Sequence, residues 1–176
     1  MYEADYPSIS KKGMIGETAL NNWFKTIEIS YLYINQSQET FSGLFKGNVK
    51  RPDFLVLFES IGMIAVDAKN YTLFNGEFSL PFEEELRRTL SFERLFRIPV
   101  WYAYLHEENG NSEVWYWISA LKATEVGTVR KNTKTGDKFL TIALNHFERV
   151  EKAQDLSKLY THRLPSLNKI GRKWMR

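Results

Sequence analysis

The sequence predicts a mixed α/β fold with one central β-sheet flanked by helices. Three observations point there: apolar runs too short to be helices, aromatic and β-branched stretches bounded by turn residues, and two segments with apolar side chains at helical spacing. At 176 residues and 43% hydrophobic content the chain is long enough for one domain with a buried core.

Taken in order, residues 13–27 read as a helix whose Leu20, Trp23, Phe24 and Ile27 form an apolar stripe. Residues 28–34 are β-branched and aromatic, as a strand requires, and a polar loop with Gly43 and Gly47 follows. Phe54 to Phe58 and Met63 to Val66 are short apolar strands, and Ser60-Ile61-Gly62 between them suits a hairpin turn. Residues 70–79 form a Gly-containing, aromatic connection. Pro81 then fits the first position of a helix running to residue 97, with Ser79 as a nearby cap. Phe82, Leu86 and Leu90 recur every four residues, and Glu83, Glu84 and Glu85 complement the dipole of the first turn. Pro99 marks the exit from that helix. Two aromatic strands near 100–106 and 114–120 are joined by Asn109-Gly110-Asn111, and residues 126–143 read as a hairpin around Lys134-Thr135-Gly136-Asp137. A helix near 150–160 closes the pattern. Residues 1–176 thus make a single domain, with a core at about 13–120 and a C-terminal hairpin and basic tail at 121–176.

Composition excludes several function classes. The absence of cysteine removes disulfides, thiol catalysis and cysteine-ligated metals. The longest run without a polar side chain, Ile98 to Leu105, is eight residues, far short of a membrane span, and no secretory leader is recognisable. The expectation is a cytoplasmic protein without membrane association. No GxGxxG, Walker-type loop or GxSxG is present, and His106, His146 and His162 lack metal-pair spacing. Net charge is only +3, but its distribution is uneven. No acid follows Asp155, whereas Lys158, Arg163, Lys169, Arg172, Lys173 and Arg176 do. Arg130, Lys131, Lys134 and Lys138 are opposed only by Asp137. Each run is either a solvated face or a surface for a polyanion.

The informative feature is a set of carboxylates in apolar company. In Ile64-Ala65-Val66-Asp67-Ala68-Lys69, two charges end an otherwise apolar strand, and period-two geometry puts Asp67 and Lys69 on one face. If the two short runs pair through a turn near residues 60–62, Asp53 lies opposite Asp67 or within one pair of it. Buried like charges are unfavourable unless protons or a cation intervene, and hard oxygen ligands suit Mg²⁺ or Mn²⁺. The simpler alternative is that Asp53 caps a strand entrance and Lys69 pairs with Asp67. Glu17, one turn from Leu20 and two from Phe24, is a third acid, either on the buried side of the first helix or at its edge.

Gly16-Glu17 on an opening helix, Arg51-Pro52-Asp53 heading a strand and Asp67-Ala68-Lys69 ending the next resemble the PD-(D/E)xK nuclease superfamily, over residues 13–105. That group includes many restriction endonucleases, Holliday-junction resolvases and repair exonucleases. The resemblance implies a restriction-endonuclease-like fold and a Mg²⁺-dependent (or Mn²⁺-dependent) DNA endonuclease or exonuclease. Asp53 and Asp67 would bind the ion with the Ala68 carbonyl. Lys69 would orient the attacking water, with a pKa that a desolvated site beside a metal can lower, and Glu17 would complete the acidic cluster. Members often carry a further polar residue on the helix after the lysine, where Arg87, Arg88, Ser91, Glu93 and Arg94 compete. DNA becomes the implied partner, contacted through Arg130, Lys131, Lys134, Lys169, Arg172 and Lys173, and a homodimer is compatible. Two other readings stand beside this one: a catalytically inactive nuclease-like module that only holds nucleic acid, and an interaction module whose basic tail is merely solvated.

Overall fold

A computed structural model describes residues 6–37, 40, 42–43, 47–59, 62–108 and 112–161, with side chains placed from residue 13 onward except 107–108, 112–113 and 161. The class is α/β. Six strands form the main sheet: β1 (Ser30–Tyr33), β2 (Phe54–Phe58), β3 (Gly62–Lys69), β5 (Val100–Glu108), β6 (Ser112–Ser119) and β9 (Glu148–Val150), in that spatial order. All neighbours are antiparallel except β3 and β5, which run parallel, so the sheet is mixed. A smaller antiparallel sheet has the order β4 (Glu77–Pro81), β8 (Lys138–Ala143), β7 (Thr128–Lys131).

The central strands lack polar alternation because both faces of the sheet are covered. On one face, Leu20 and Phe24 of helix α1 (Tyr6–Thr26) pack on Ile64, Val66, Trp101, Trp115 and Trp117. On the other, Ala65, Tyr102, Tyr104 and Ile118 meet Phe78, Leu80 and Leu140 of the small sheet and Leu86 and Phe92 of the helical segment after β4. The even residues of β3 therefore face α1, and the odd ones, Ala65, Asp67 and Lys69, face the opposite layer.

The register of the β2–β3 hairpin is the one the apolar runs predict. Phe54 pairs with Val66 and Phe58 with Gly62, so Asp53, one residue before β2, falls opposite Asp67. Residues 60 and 61, part of the expected turn, lie outside the described residues, as does the Asn109–Asn111 turn. The parallel pairing of β3 with β5 sets Asp67 beside Tyr102 and Lys69 beside Tyr104.

The segment expected to be a helix from Pro81 starts differently. Residues 77–81 alternate buried and half-buried, the pattern of a strand, and pair with residues 139–143 of β8. Pro81 is thus the end of β4, an edge position where its missing N–H breaks no ladder bond, and Ser79 lies opposite Thr141 instead of capping a helix. The chain then makes a π-helix, Phe82–Arg87, before α2 (Arg88–Phe96). Leu86 still turns into the core, but the wider turn brings Glu85 inward: its side chain is 18% exposed, against 56% for Glu83 and 79% for Glu84. Near the C-terminus, the expected helix at 150–160 is a 3₁₀ segment, Ala153–Ser157, running into α4 (Lys158–Thr161). Helix α3 (Ala120–Val126), capped by the Ser119 hydroxyl accepting from the Lys122 N–H, and the three-residue β9 are additional to the sequence reading.

Candidate metal and catalytic site

Asp53, Asp67 and Lys69 come together at the end of the β2–β3 hairpin, and all three are buried, at 6%, 1% and 6% exposure. Asp53 sits where the ladder runs out. Its N–H donates to the Val66 carbonyl (3.0 Å), and its Oδ2 accepts the Ala68 N–H (2.8 Å). The carboxylate thus extends the strand pairing by one bond, the capping role the sequence allowed. Asp67 is two residues from the strand end, held among apolar neighbours by pairing on both sides of β3.

The charges around Asp67 form a connected group. Asp67 Oδ2 receives Lys69 Nζ at 2.6 Å and Lys50 Nζ at 3.0 Å. Lys69 also contacts Glu85 Oε2 at 2.5 Å, and Lys50 pairs with the same oxygen. Lys69 lies 5.7 Å from the centre of the Tyr102 ring, which adds an aromatic face to its surroundings. Burial opposes ionisation of Asp67, but the two ammonium groups outweigh it and hold that carboxyl down at about 2. Burial alone would lower the Lys69 pKa; Asp67 and Glu85 reverse this and hold it well above 10.5, so without a metal Lys69 is a fixed cation. Asp53 has the opposite fate. Burial and the neighbouring Asp67 charge push it up to about 8, and Lys50 and Lys69 oppose this only in part.

Glu17 borders this group. Gly16 brings α1 against the end of β3, so close that a Cβ there would stand 3.1 Å from the Asn70 Cβ. The adjoining Glu17 is half-buried, accepts the Tyr33 hydroxyl at 3.2 Å, and is one of the charges that raise Asp53. Among the described residues, however, no group of three or more His, Asp or Glu side chains converges as a metal centre. Any ion would rest on the two aspartates. One observation fits that arrangement: Asp67 Oδ1 is buried and has no hydrogen-bond partner among the described residues. An unmet oxygen beside a carboxyl that burial keeps from ionising is what a hard divalent cation satisfies, and Mg²⁺ sites built on one or two carboxylates are common.

Lys50 and Glu85 are the members that sequence reasoning missed. Of the residues that competed on the following helix, Arg87 pairs with Glu83, Arg88 with Glu84, the Ser91 hydroxyl donates to the Arg87 carbonyl, Glu93 accepts the Val100 N–H, and Arg94 is exposed. The side chain that reaches Lys69 is Glu85, one π-turn earlier. Lys50 belongs to the same Lys-Arg-Pro-Asp run that heads β2, and its N–H is fixed by the Arg88 carbonyl (3.2 Å). The basic residues divide. Arg130, Lys131 and Lys134 are exposed on the β7–β8 hairpin, where Arg130 approaches Glu77 at 3.7 Å and donates to Thr141. Lys169, Arg172 and Lys173 lie outside the described residues.

In comparisons with known proteins, no family model, no curated protein and no solved structure matches the chain. Among the described residues no helix is long and apolar enough to cross a membrane.

Proposed function

We propose that this protein is a metal-dependent nuclease hydrolysing DNA phosphodiester bonds, with a restriction-endonuclease-like fold. The observation that carries the reading is the buried acid pair Asp53–Asp67, which shares its strand end with Lys69 and leaves Asp67 Oδ1 without a partner. Asp53 and Asp67 would hold Mg²⁺ or Mn²⁺, which supplies Lewis acidity toward the phosphate and lowers the pKa of water at the site. Ionised Asp67 is ready as a ligand, whereas Asp53 must first give up its proton. Lys69, protonated and fixed by Asp67 and Glu85, places a positive charge where a pentacoordinate phosphorus needs one and orients a water by donation. Lys50, 23% exposed, is the cation free to swing from Asp67 to a phosphate oxygen once the acid pair has another counter-ion. Glu17 sits close enough to Asp53 to add to the negative field. Arg130, Lys131 and Lys134 would contact the phosphate backbone independently of sequence.

The test is cleavage of supercoiled, linear and single-stranded DNA by the purified chain with Mg²⁺, Mn²⁺ or EDTA, beside Asp67→Asn and Lys69→Ala. Metal-dependent cleavage that both substitutions abolish supports the reading. DNA binding without cleavage under any metal would instead favour the nucleic-acid-holding module, and neither binding nor cleavage would overturn both.

A further inference from the structure

Beside the acid pair lies a cavity of about 490 Å³, walled among the described residues by Ser42, Gly43, Gly47 and residues 49–51 ahead of β2 and by the helical segment that follows β4. Its size is that of a small-ligand site, about 300–1,000 Å³. Among the described residues three cations line it, and their situations differ. Arg51 is committed to the loop: its guanidinium donates to the carbonyls of Asn35 and Ser37 (both 2.9 Å) and Gln36 (2.6 Å), and to the Thr40 hydroxyl (2.8 Å). Lys50 reaches from Asp67 to the cavity wall, so it joins the two spaces through one side chain. Arg88 also faces the cavity; one of its terminal nitrogens meets Glu84 at 3.2 Å, while its Nε is buried with no partner among the described residues. Glu84 and Glu85 contribute carboxylates to the same lining.

We propose that this cavity receives one unpaired nucleotide adjoining the scissile phosphate, so that the preferred substrate is single-stranded or frayed DNA and not intact duplex. The inference rests on the nuclease reading above for what is cut, and on the cavity for which form is cut. A recess of this size admits one small ligand. A stacked, paired base can enter such a site only after extrusion from the helix, whereas an unpaired one enters without that cost. The lining has the matching chemistry. Lys50 and Arg88 offer donors to phosphate, and the Glu84 carboxylate offers an acceptor to the exocyclic amino group of a base. Lys50 makes the geometry continuous, since the side chain that touches the metal-binding aspartate also lines the recess.

The test uses the full chain with two probes. The first is 5′-dAMP titrated calorimetrically in EDTA. The second is one oligonucleotide sequence offered single-stranded or as blunt duplex, with binding read in Ca²⁺ and cleavage in Mg²⁺. The expected result is one dAMP per chain and at least a tenfold preference for the single strand. Arg88→Met, which keeps the aliphatic stem, weakens dAMP at least tenfold and moves the strand preference toward equality. Glu84→Gln, at an exposed side chain, keeps an acceptor oxygen for the base while removing the charge that ties Arg88, so it strengthens dAMP severalfold and keeps the proposal falsifiable should Arg88→Met fail to fold. Metal-dependent cleavage with equal use of both forms and no dAMP binding overturns this inference and leaves the nuclease reading standing. Stoichiometric dAMP binding that responds to Arg88→Met, with no cleavage of any DNA, supports the nucleotide cavity and overturns the nuclease reading.

Discussion

Asp53 is the residue whose ionisation the fold resists, and that makes the metal-free protein sensitive to pH in a defined window. Its carboxyl is pushed from 3.8 to about 8, first by burial and then by Asp67. The native state therefore holds the Asp53 proton more tightly than the unfolded chain does. Below pH 4 both states are protonated there and nothing is lost. As pH rises from about 4 to about 8 the unfolded chain gains stability by ionising while the native state does not, so native stability falls and then levels off. The limiting slope is roughly 1.4 kcal/mol per pH unit, or up to roughly 5 kcal/mol across the window. Asp53→Asn removes the effect while keeping a side-chain oxygen to accept the Ala68 N–H. Its amide N–H₂, buried where a carboxyl stood, costs about 2 kcal/mol, so about 3 kcal/mol of net gain remains at pH 8. For a chain of this length about 1 kcal/mol moves the melting temperature by ~2–4 °C, so at pH 8 in EDTA the Asn variant melts about 6–12 °C above the parent, and at pH 5 the gap closes. Differential scanning calorimetry between pH 5 and 8.5 measures this directly. A parent whose melting temperature is flat over that range, or an Asn variant less stable at pH 8, would refute the charge arithmetic of the site.

Asp67→Asn acts in the opposite sense: it leaves two buried or half-buried ammonium groups, Lys50 and Lys69, sharing Glu85 as their remaining counter-charge, so the metal-free protein loses about 3 kcal/mol, seen in urea unfolding, and Asp67→Asn with Lys69→Met recovers part of the loss. Because Asp53 must lose its proton before an ion binds, Mg²⁺ affinity rises up to about tenfold per pH unit between pH 5 and 8; calorimetry in buffers of different ionisation enthalpy should detect one proton released per ion, and a pH-independent affinity would refute it. Replacing the exposed Lys131 and Lys134 by Gln reduces the log–log salt slope of DNA binding by about 0.9 for each phosphate no longer neutralised, and an unchanged slope places the DNA path elsewhere.

The β2–β3 register was legible because it needs only two apolar runs of known length and a turn between them, and period two then forces Asp67 and Lys69 onto one face. The four-residue spacing of Phe82, Leu86 and Leu90 likewise found the core side of the next helix. It could not find Glu85. On an α-helical wheel through Phe82, Leu86 and Leu90, Glu83 lies nearer that stripe than Glu85 does, and in the π-turn it is instead Glu85 that lies inward. Of the small sheet, the β7–β8 pair is the hairpin expected over 126–143, while β4 escaped notice: Phe78 and Leu80 alternate over too few residues to outweigh the helix-start signal of Pro81, and their pairing with Leu140 and Ile142 joins positions some sixty residues apart. Lys50 carried no pattern at all, because its role depends on where the loop before β2 lands against Arg88. Periodicity thus located Asp67 and Lys69 on a regular strand and Asp53 one residue ahead of its partner strand, while the residues that balance their charge, Lys50 and Glu85, come from a loop and an irregular helix. That division has a chemical consequence. Strand pairing fixes the acids and Lys69 in the buried layer, and the more exposed partners, Lys50 and Glu85, are the ones that would give way when an ion or a phosphate arrives.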